Sequence, residues 1–160
     1  MNIFIIYDSF YGNTLKVTEL IKDEFIAKGH KVSYKHVDKV EQDDFIEKDY
    51  VIFGSPTRGF RPSPSMSAFL KSKVFCFTNQ EVFVFDTRID YIDIKSRFLK
   101  RMMKCFGFAA DHMKKTLEKR NATVLQEPKG FFVVSSTGPL KPEVSYQIEL
   151  WVDEILKLPK

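Results

Sequence analysis

One continuous stretch, residues 3–14, constrains the fold more than any other part of the chain. Its first part, residues 3–7, is almost wholly apolar, as is typical of a strand buried on both faces in a parallel sheet. A polar loop follows, and apolar residues then recur at helical spacing. These residues are Val17, Leu20, Ile21 and Phe25. Free N–H groups and the positive end of a helix dipole meet at such a turn, which favours phosphate binding. The alternative is an ordinary capped helix with Ser9 or Asn13 as its N-cap.

The residues of this loop fit one kind of phosphate site better than others. The chain has neither G-x-x-x-x-G-K-[ST] nor G-x-G-x-x-G, so the common nucleotide and dinucleotide motifs are missing. The spacing of the loop residues instead resembles the FMN phosphate loop of the flavodoxin family, [ST]-x-[TSY]-G-x-T. The resemblance implies that FMN is the cofactor and that six consecutive residues bind it. These are Ser9, Phe10, Tyr11, Gly12, Asn13 and Thr14.

The order of apolar segments predicts the fold class. Strand and helix patterns alternate through the chain, which indicates an α/β domain with a doubly wound parallel sheet. We expect one flavodoxin-like domain over residues 1–160, with a five-stranded sheet between two layers of helices. The expected strands are residues 3–7, 31–37 (at an edge), 50–55, 81–85 and 122–126, with a short extension at 130–134. Met66, Phe69, Leu70 and Val74 are expected to form the core face of the helix after the third strand.

A second candidate loop follows the third predicted strand. In an open parallel sheet, ligands bind beyond the carboxyl ends of the strands, so this loop should lie beside the first. The segment Gly-Ser-Pro-Thr at 54–57 also resembles the second FMN loop of flavodoxin-like proteins. A plain proline-rich turn is the alternative. The resemblance places the flavin ring against Pro56, Thr57, Arg58, Gly59 and Phe60.

A third candidate loop, residues 86–91, matches the family less well, because it has no glycine. Thr87 and Arg88 could reach the carbonyl side of the flavin ring, and Tyr91 could stack on it, although surface positions are equally compatible with the sequence. Arg58, Arg61 and Arg88 would then border the flavin. Their charge predicts a higher potential for its second reduction than in acidic flavodoxins.

Composition and charge limit the class of protein. The 160 residues are 44% hydrophobic, as expected of a packed domain, and the N-terminus does not resemble a signal peptide. Cys76 and Cys105 are expected to be free thiols, which favours a cytoplasmic location. His30, His36 and His112 are too scattered to predict a metal site.

The net charge of +4 is concentrated after residue 94. The stretch from Lys95 to Lys104 is basic and amphipathic. It could be a solvated helix face, a surface for an acidic redox partner protein, or a peripheral contact with an anionic membrane. Nucleic acid is not expected as a partner, because no recognised binding motif is present.

The predicted function is electron transfer through one non-covalently bound FMN. No residue is assigned a catalytic role, because the flavin carries the redox chemistry. Two alternatives remain, namely an FMN-dependent reductase of a quinone or porphyrinogen-type acceptor and a flavin-free interaction module. A phosphorylated receiver domain is disfavoured, because Asp8 stands alone after the first strand and the third strand ends in Gly54 and Ser55.

Overall fold

A single sheet of six parallel strands runs through the domain, and the computed structural model describes residues 1–159. The strands are β1 (Asn2–Tyr7), β2 (Lys31–His36), β3 (Tyr50–Pro56), β4 (Glu81–Ile89), β5 (Thr123–Val124) and β6 (Lys129–Val133). The helices are α1 (Asn13–Ala27), α2 (Pro64–Lys71), α3 (Arg97–Phe106), α4 (Ala109–Glu118) and α5 (Val144–Leu156). The order β2-β1-β3-β4-β5 reverses direction between β1 and β3, as expected of a doubly wound sheet.

The outer position beside β4 is shared by two strands, so the predicted five-stranded sheet is corrected to six strands. β5 pairs with Glu81 and Val82 at the start of β4, and β6 pairs with residues 85–89 at its end. Pro128 lies between the two strands and has no N–H to donate to the ladder. The predicted fifth strand is therefore reduced to two residues, and the predicted extension is the longer strand.

Pairing with β3 and β6 makes β4 longer than the sequence pattern predicts. The apolar run stops at Phe85, but the strand continues to Ile89. Asp86 and Thr87 are both buried within it. Thr87 and Arg88 therefore lie on a strand rather than on a loop.

The sheet separates two apolar cores. α2 and α4 cover one face, where Phe53, Met66 and Met113 are buried. α1 and α5 cover the other face around Trp151. Val74 was predicted wrongly as a core residue, because α2 ends at Lys71 and the Val74 side chain is 75% exposed.

α3 is attached to the domain differently from the other helices. Met103 is its only buried residue, whereas Phe98 and Phe106 are 73% and 51% exposed. The expected basic amphipathic stretch thus forms a helix with part of its apolar face in solvent. Within residues 1–159, no helix combines the length and the apolar character needed to cross a bilayer.

Candidate functional site

A cleft of about 290 Å³ opens at the carboxyl ends of β1, β3 and β4. Three segments of the chain supply most of its lining, and most of the predicted site residues are among them. From the loop after β1 come Ser9, Phe10, Tyr11, Asn13 and Thr14; from the end of β3 and the following turn come Pro56, Thr57, Arg58 and Gly59; from β4 come Thr87, Arg88 and Ile89. Val133 and Ser136 complete the lining.

The loop before α1 presents a row of backbone donors. Gly12 has a φ of +84° and is the N-cap of α1, whose first turn contains no acidic residue. Among the described residues, no protein acceptor bonds the N–H groups of residues 10–14. The neighbouring Ser9 N–H, in contrast, donates to Asp8 Oδ1 at 2.7 Å. Five unpaired donors at the positive end of a helix form a suitable environment for an anion.

Side-chain contacts connect this loop to the rest of the site. Thr14 is 1% exposed, and its Oγ1 lies 2.9 Å from Thr87 Oγ1 on β4. Asn13 Nδ2 donates to the carbonyl oxygen of Thr137 at 3.1 Å. At Gly138, where φ is +100°, a Cβ would lie 2.4 Å from Asn13 Oδ1. The glycine therefore allows residues 135–139 to pack directly against the start of α1.

The second loop forms a tight turn over residues 58–61. The N–H of Arg58 donates to the Arg61 carbonyl at 3.0 Å, and the reverse bond is 3.1 Å long. Gly59 and Phe60 both have positive φ, +53° and +67°, as in a type I′ turn. The turn holds the Arg58 guanidinium 4.7 Å from the centre of the Phe10 ring. A cation and half-exposed aromatic rings thus border the cleft.

A buried ion pair lies behind the cleft. Asp86 is fully buried, and its carboxylate accepts from Arg88 Nε at 2.5 Å and Arg88 Nη2 at 2.9 Å. The Ala110 N–H donates to the same carboxylate at 2.9 Å. Burial raises the pKa of Asp86, and the Arg88 charge and these hydrogen bonds oppose that rise. The arginine also stacks on Phe108, and a Cβ on Gly130 would lie 2.6 Å from its Cζ.

Three predicted site residues do not line the cleft. Gly12 shapes the loop through its backbone. Phe60 instead lines a neighbouring groove, with its ring centre 5.9 Å from that of Phe106. Tyr91 lies in a short helical turn, where Lys100 Nζ is 5.0 Å from its ring centre. No ligand contact tests any of the predicted site residues, so their roles remain predictions.

Three lining residues were absent from the prediction. Ile89 was missed because the pattern ended β4 too early. Val133 and Ser136 belong to the end of β6 and the segment after it. The polar run at 135–138, placed directly after an apolar strand, was the signal that could have identified them, because it repeats the arrangement after β1.

Comparison with known proteins agrees with this geometry. A family model described as flavodoxin domain matches residues 4–135. The chain belongs to the flavodoxin family. Flavodoxin 1 and flavodoxin 2 from Bacillus cereus superimpose with TM-scores of 0.77 and 0.75, at 18% and 19% identity. The matches cover 100% of both chains for flavodoxin 1, and 98% of this chain and 99% of the other for flavodoxin 2. Among curated protein sequences, none matches the chain.

A third similar structure was solved with a flavin. It is the Fusobacterium nucleatum flavodoxin bound to flavin mononucleotide, with a TM-score of 0.67 and 14% identity over 98% of this chain and 97% of that one. At this identity the likeness shows the fold alone. Whether this flavodoxin-family chain suits the same cofactor depends on its own donors. The unpaired N–H groups at 10–14 fit a phosphate, and the rings of Phe10 and Tyr11 fit a planar apolar group.

Proposed function

We propose that this flavodoxin-family protein binds one FMN in the cleft and serves in electron transfer. The observation that carries the proposal is the set of N–H groups at residues 10–14, which lie at the start of α1 and have no acceptor within residues 1–159. Unpaired backbone donors are costly when a site is desolvated, and a phosphate would satisfy several of them. The bound flavin would supply the redox chemistry, and the protein would orient it and set its electrostatic environment.

Each wall of the cleft has a separate task in this proposal. The first loop holds the phosphate. The 2.9 Å contact between Thr14 and Thr87 fixes the position of this loop relative to β4. The exposed rings of Phe10 and Tyr11 cover part of the flavin ring by stacking. Arg58, which has no carboxylate partner among the described residues, places a positive charge near an anionic reduced cofactor.

The spectrum of the protein after incubation with FMN and removal of free flavin tests this function. We expect about one FMN per chain and flavin that stays bound through a cycle of reduction and reoxidation. Tyr11→Ser should weaken FMN about tenfold, because aromatic stacking is lost. Tyr146→Ser is the matched control, since Tyr146 is similarly exposed but lies on α5, away from the cleft. A colourless protein, or equal effects of both substitutions, would contradict the proposal.

The groove beside the cleft favours a second function, reduction of a small acceptor by the bound FMN. A pure electron carrier needs only a protein surface near the flavin, whereas a reductase needs space for a substrate beside it. The groove lined by Phe60, Leu99 and Phe108 provides such a space. Oxidation of chemically reduced, FMN-loaded protein by a soluble quinone, followed over a single turnover, tests this function. A rate no higher than that of free reduced FMN would contradict it.

A further inference from the structure

A second groove of about 210 Å³ lies between α3 and the turn at 58–61. Its walls are predominantly apolar and come from three different parts of the chain. The apolar side chains are Phe60, Ile89, Ile94, Leu99, Met103 and Phe108. α3 contributes two of these side chains, Leu99 and Met103, and Met103 is the buried one.

The groove is continuous with the cleft. Thr57, Gly59, Arg88 and Ile89 line both spaces. A molecule in the groove would therefore lie against these residues on one side while a flavin lay against them on the other. This continuity favours a small ligand that meets the cofactor over a macromolecule that covers only the outside of α3.

The lining and size of the groove favour a planar aromatic ligand. Phe60 and Phe108 bring rings to two of its walls, and aromatic rings pack well in offset or edge-to-face geometry. The Arg88 guanidinium lies 3.7 Å from the centre of the Phe108 ring, which gives this wall a flat, fixed surface. A volume of 210 Å³ is below the roughly 300–1,000 Å³ of drug-sized pockets, so one or two fused rings fit best.

The charge around the groove selects for an anion. α3 carries four basic residues and no acidic one. Lys100 and Lys104 have no carboxylate partner within residues 1–159, and both lie near the ring of Tyr91. Three nearby carboxylates, at residues 86, 90 and 93, are already paired. Lys141 Nζ lies 3.0 Å from Asp90 and 2.7 Å from Asp93, and Arg88 binds Asp86.

We propose that the groove is a binding site for a one- or two-ring planar aromatic compound with an anionic substituent. The ring system occupies the apolar space beside α3. The anionic group extends from this space toward Lys100 and Lys104, which lie on α3 next to the lining residues Leu99 and Met103 but outside the lining itself. The proposal rests on the proposed function in one respect, namely that the neighbour of this ligand in the cleft is FMN. The groove thereby gives the small-acceptor function a substrate class.

Calorimetric titration with naphthalene-2-sulfonate tests the site, using FMN-saturated and flavin-free protein. We expect one saturable site in the FMN-saturated protein. Leu99→Ser should weaken the probe about five- to tenfold, because an apolar wall is lost. Phe98→Ser is the matched control, since Phe98 is the adjacent residue on α3, is 73% exposed and does not line the groove.

A second pair of variants tests the charge preference without touching the apolar wall. Lys100→Gln should weaken naphthalene-2-sulfonate more than the neutral 2-naphthol. Lys119→Gln, at the distant end of α4, should change neither. Equal effects of Lys100→Gln on both probes would overturn the anionic part of the proposal even if Leu99→Ser proved unstable.

The outcomes separate this inference from the proposed function. If FMN does not bind but the sulfonate binds in a Leu99-dependent way, the FMN function fails and the groove stands. If FMN binds normally and the sulfonate does not, the groove proposal is overturned and the FMN function stands. Displacement of the sulfonate by FMN would also overturn the groove proposal, because it would place the probe in the cleft. Equal losses of affinity in Phe98→Ser and Leu99→Ser would overturn it as well, because they would place the probe on the outer face of α3.

Discussion

Replacing Arg88 by methionine should expose how strongly the buried ion pair supports the site. The substitution keeps an apolar stem of similar length against Phe108 but removes both hydrogen bonds to Asp86. The carboxylate is then fully buried with only the Ala110 N–H and Thr57 as partners. Breaking a buried pair in this way generally costs about 3–5 kcal/mol, because an uncompensated charge remains.

The loss should depend on pH in a defined direction. Burial already raises the pKa of Asp86, and removing Arg88 takes away the strongest opposing effect, so the pKa rises further. The folded variant then binds a proton more tightly than the unfolded chain, whose aspartate pKa is about 3.9. Stability is therefore lost as pH rises through the folded pKa. We expect a smaller loss of stability at pH 5 than at pH 8.

Urea denaturation of the flavin-free protein at both pH values measures this effect. Arg61→Met is the control, because Arg61 is exposed and its side chain has no carboxylate partner among the described residues; it should change stability by less than about 0.5 kcal/mol. The double variant Asp86→Asn with Arg88→Met should recover part of the loss at pH 8 and show little pH dependence, since no charge is buried. If Arg88→Met behaves like Arg61→Met at both pH values, the reasoning is refuted.

Three further predictions concern the loops around the cleft. Gly138→Ala should lower the free energy of unfolding by about 1–3 kcal/mol, because φ is +100° and the new Cβ would lie 2.4 Å from Asn13 Oδ1. An unchanged thermal or urea unfolding transition would contradict this packing. Phe60→Gly should be more stable than Phe60→Ala by about 1 kcal/mol, because φ is +67° at this position; an alanine variant of equal stability would argue against the turn geometry. Arg58→Gln should lower the potential for full reduction of bound FMN, since a unit charge about 8 Å away contributes about 2 kcal/mol at an effective dielectric of 20. An unchanged potential in spectroelectrochemistry would show that the Arg58 charge does not act on the flavin.

The structure also changes how the arginines should act on a reduced flavin. The sequence placed Arg58, Arg61 and Arg88 together on loops that border the flavin. Arg88 instead lies on β4 and is paired with Asp86, so most of its charge is compensated locally. Arg58 has no such partner and lies over Phe10 at the cleft. Substituting Arg58 should therefore change the reduction potential of bound FMN more than substituting Arg88 does.

The sequence predicted those parts of the site that are formed by residues close together in the chain. The loop at 9–14 was predictable because its strand, its turn and its helix are adjacent in sequence. The end of β4 was not, because it depends on pairing with distant strands: Asp86 and Thr87 pair with β3 and β6, and residues 88–89 pair with β6 alone, about 45 residues later. Asp86 misleadingly indicated the end of the strand, because a charged residue is rarely buried without a partner. Here Arg88 and the distant Ala110 N–H both bond its carboxylate.

The difference in affinity between FMN and riboflavin tests the phosphate site most directly. The two ligands share the ring and the side chain, and only FMN presents a phosphate to the N–H groups of residues 10–14. Two charge-assisted hydrogen bonds of about 1.5 kcal/mol each correspond to about a hundredfold in affinity. Calorimetric titration of the flavin-free protein should therefore show FMN binding at least about a hundredfold more tightly than riboflavin. Equal affinities would show that the loop before α1 does not bind the phosphate.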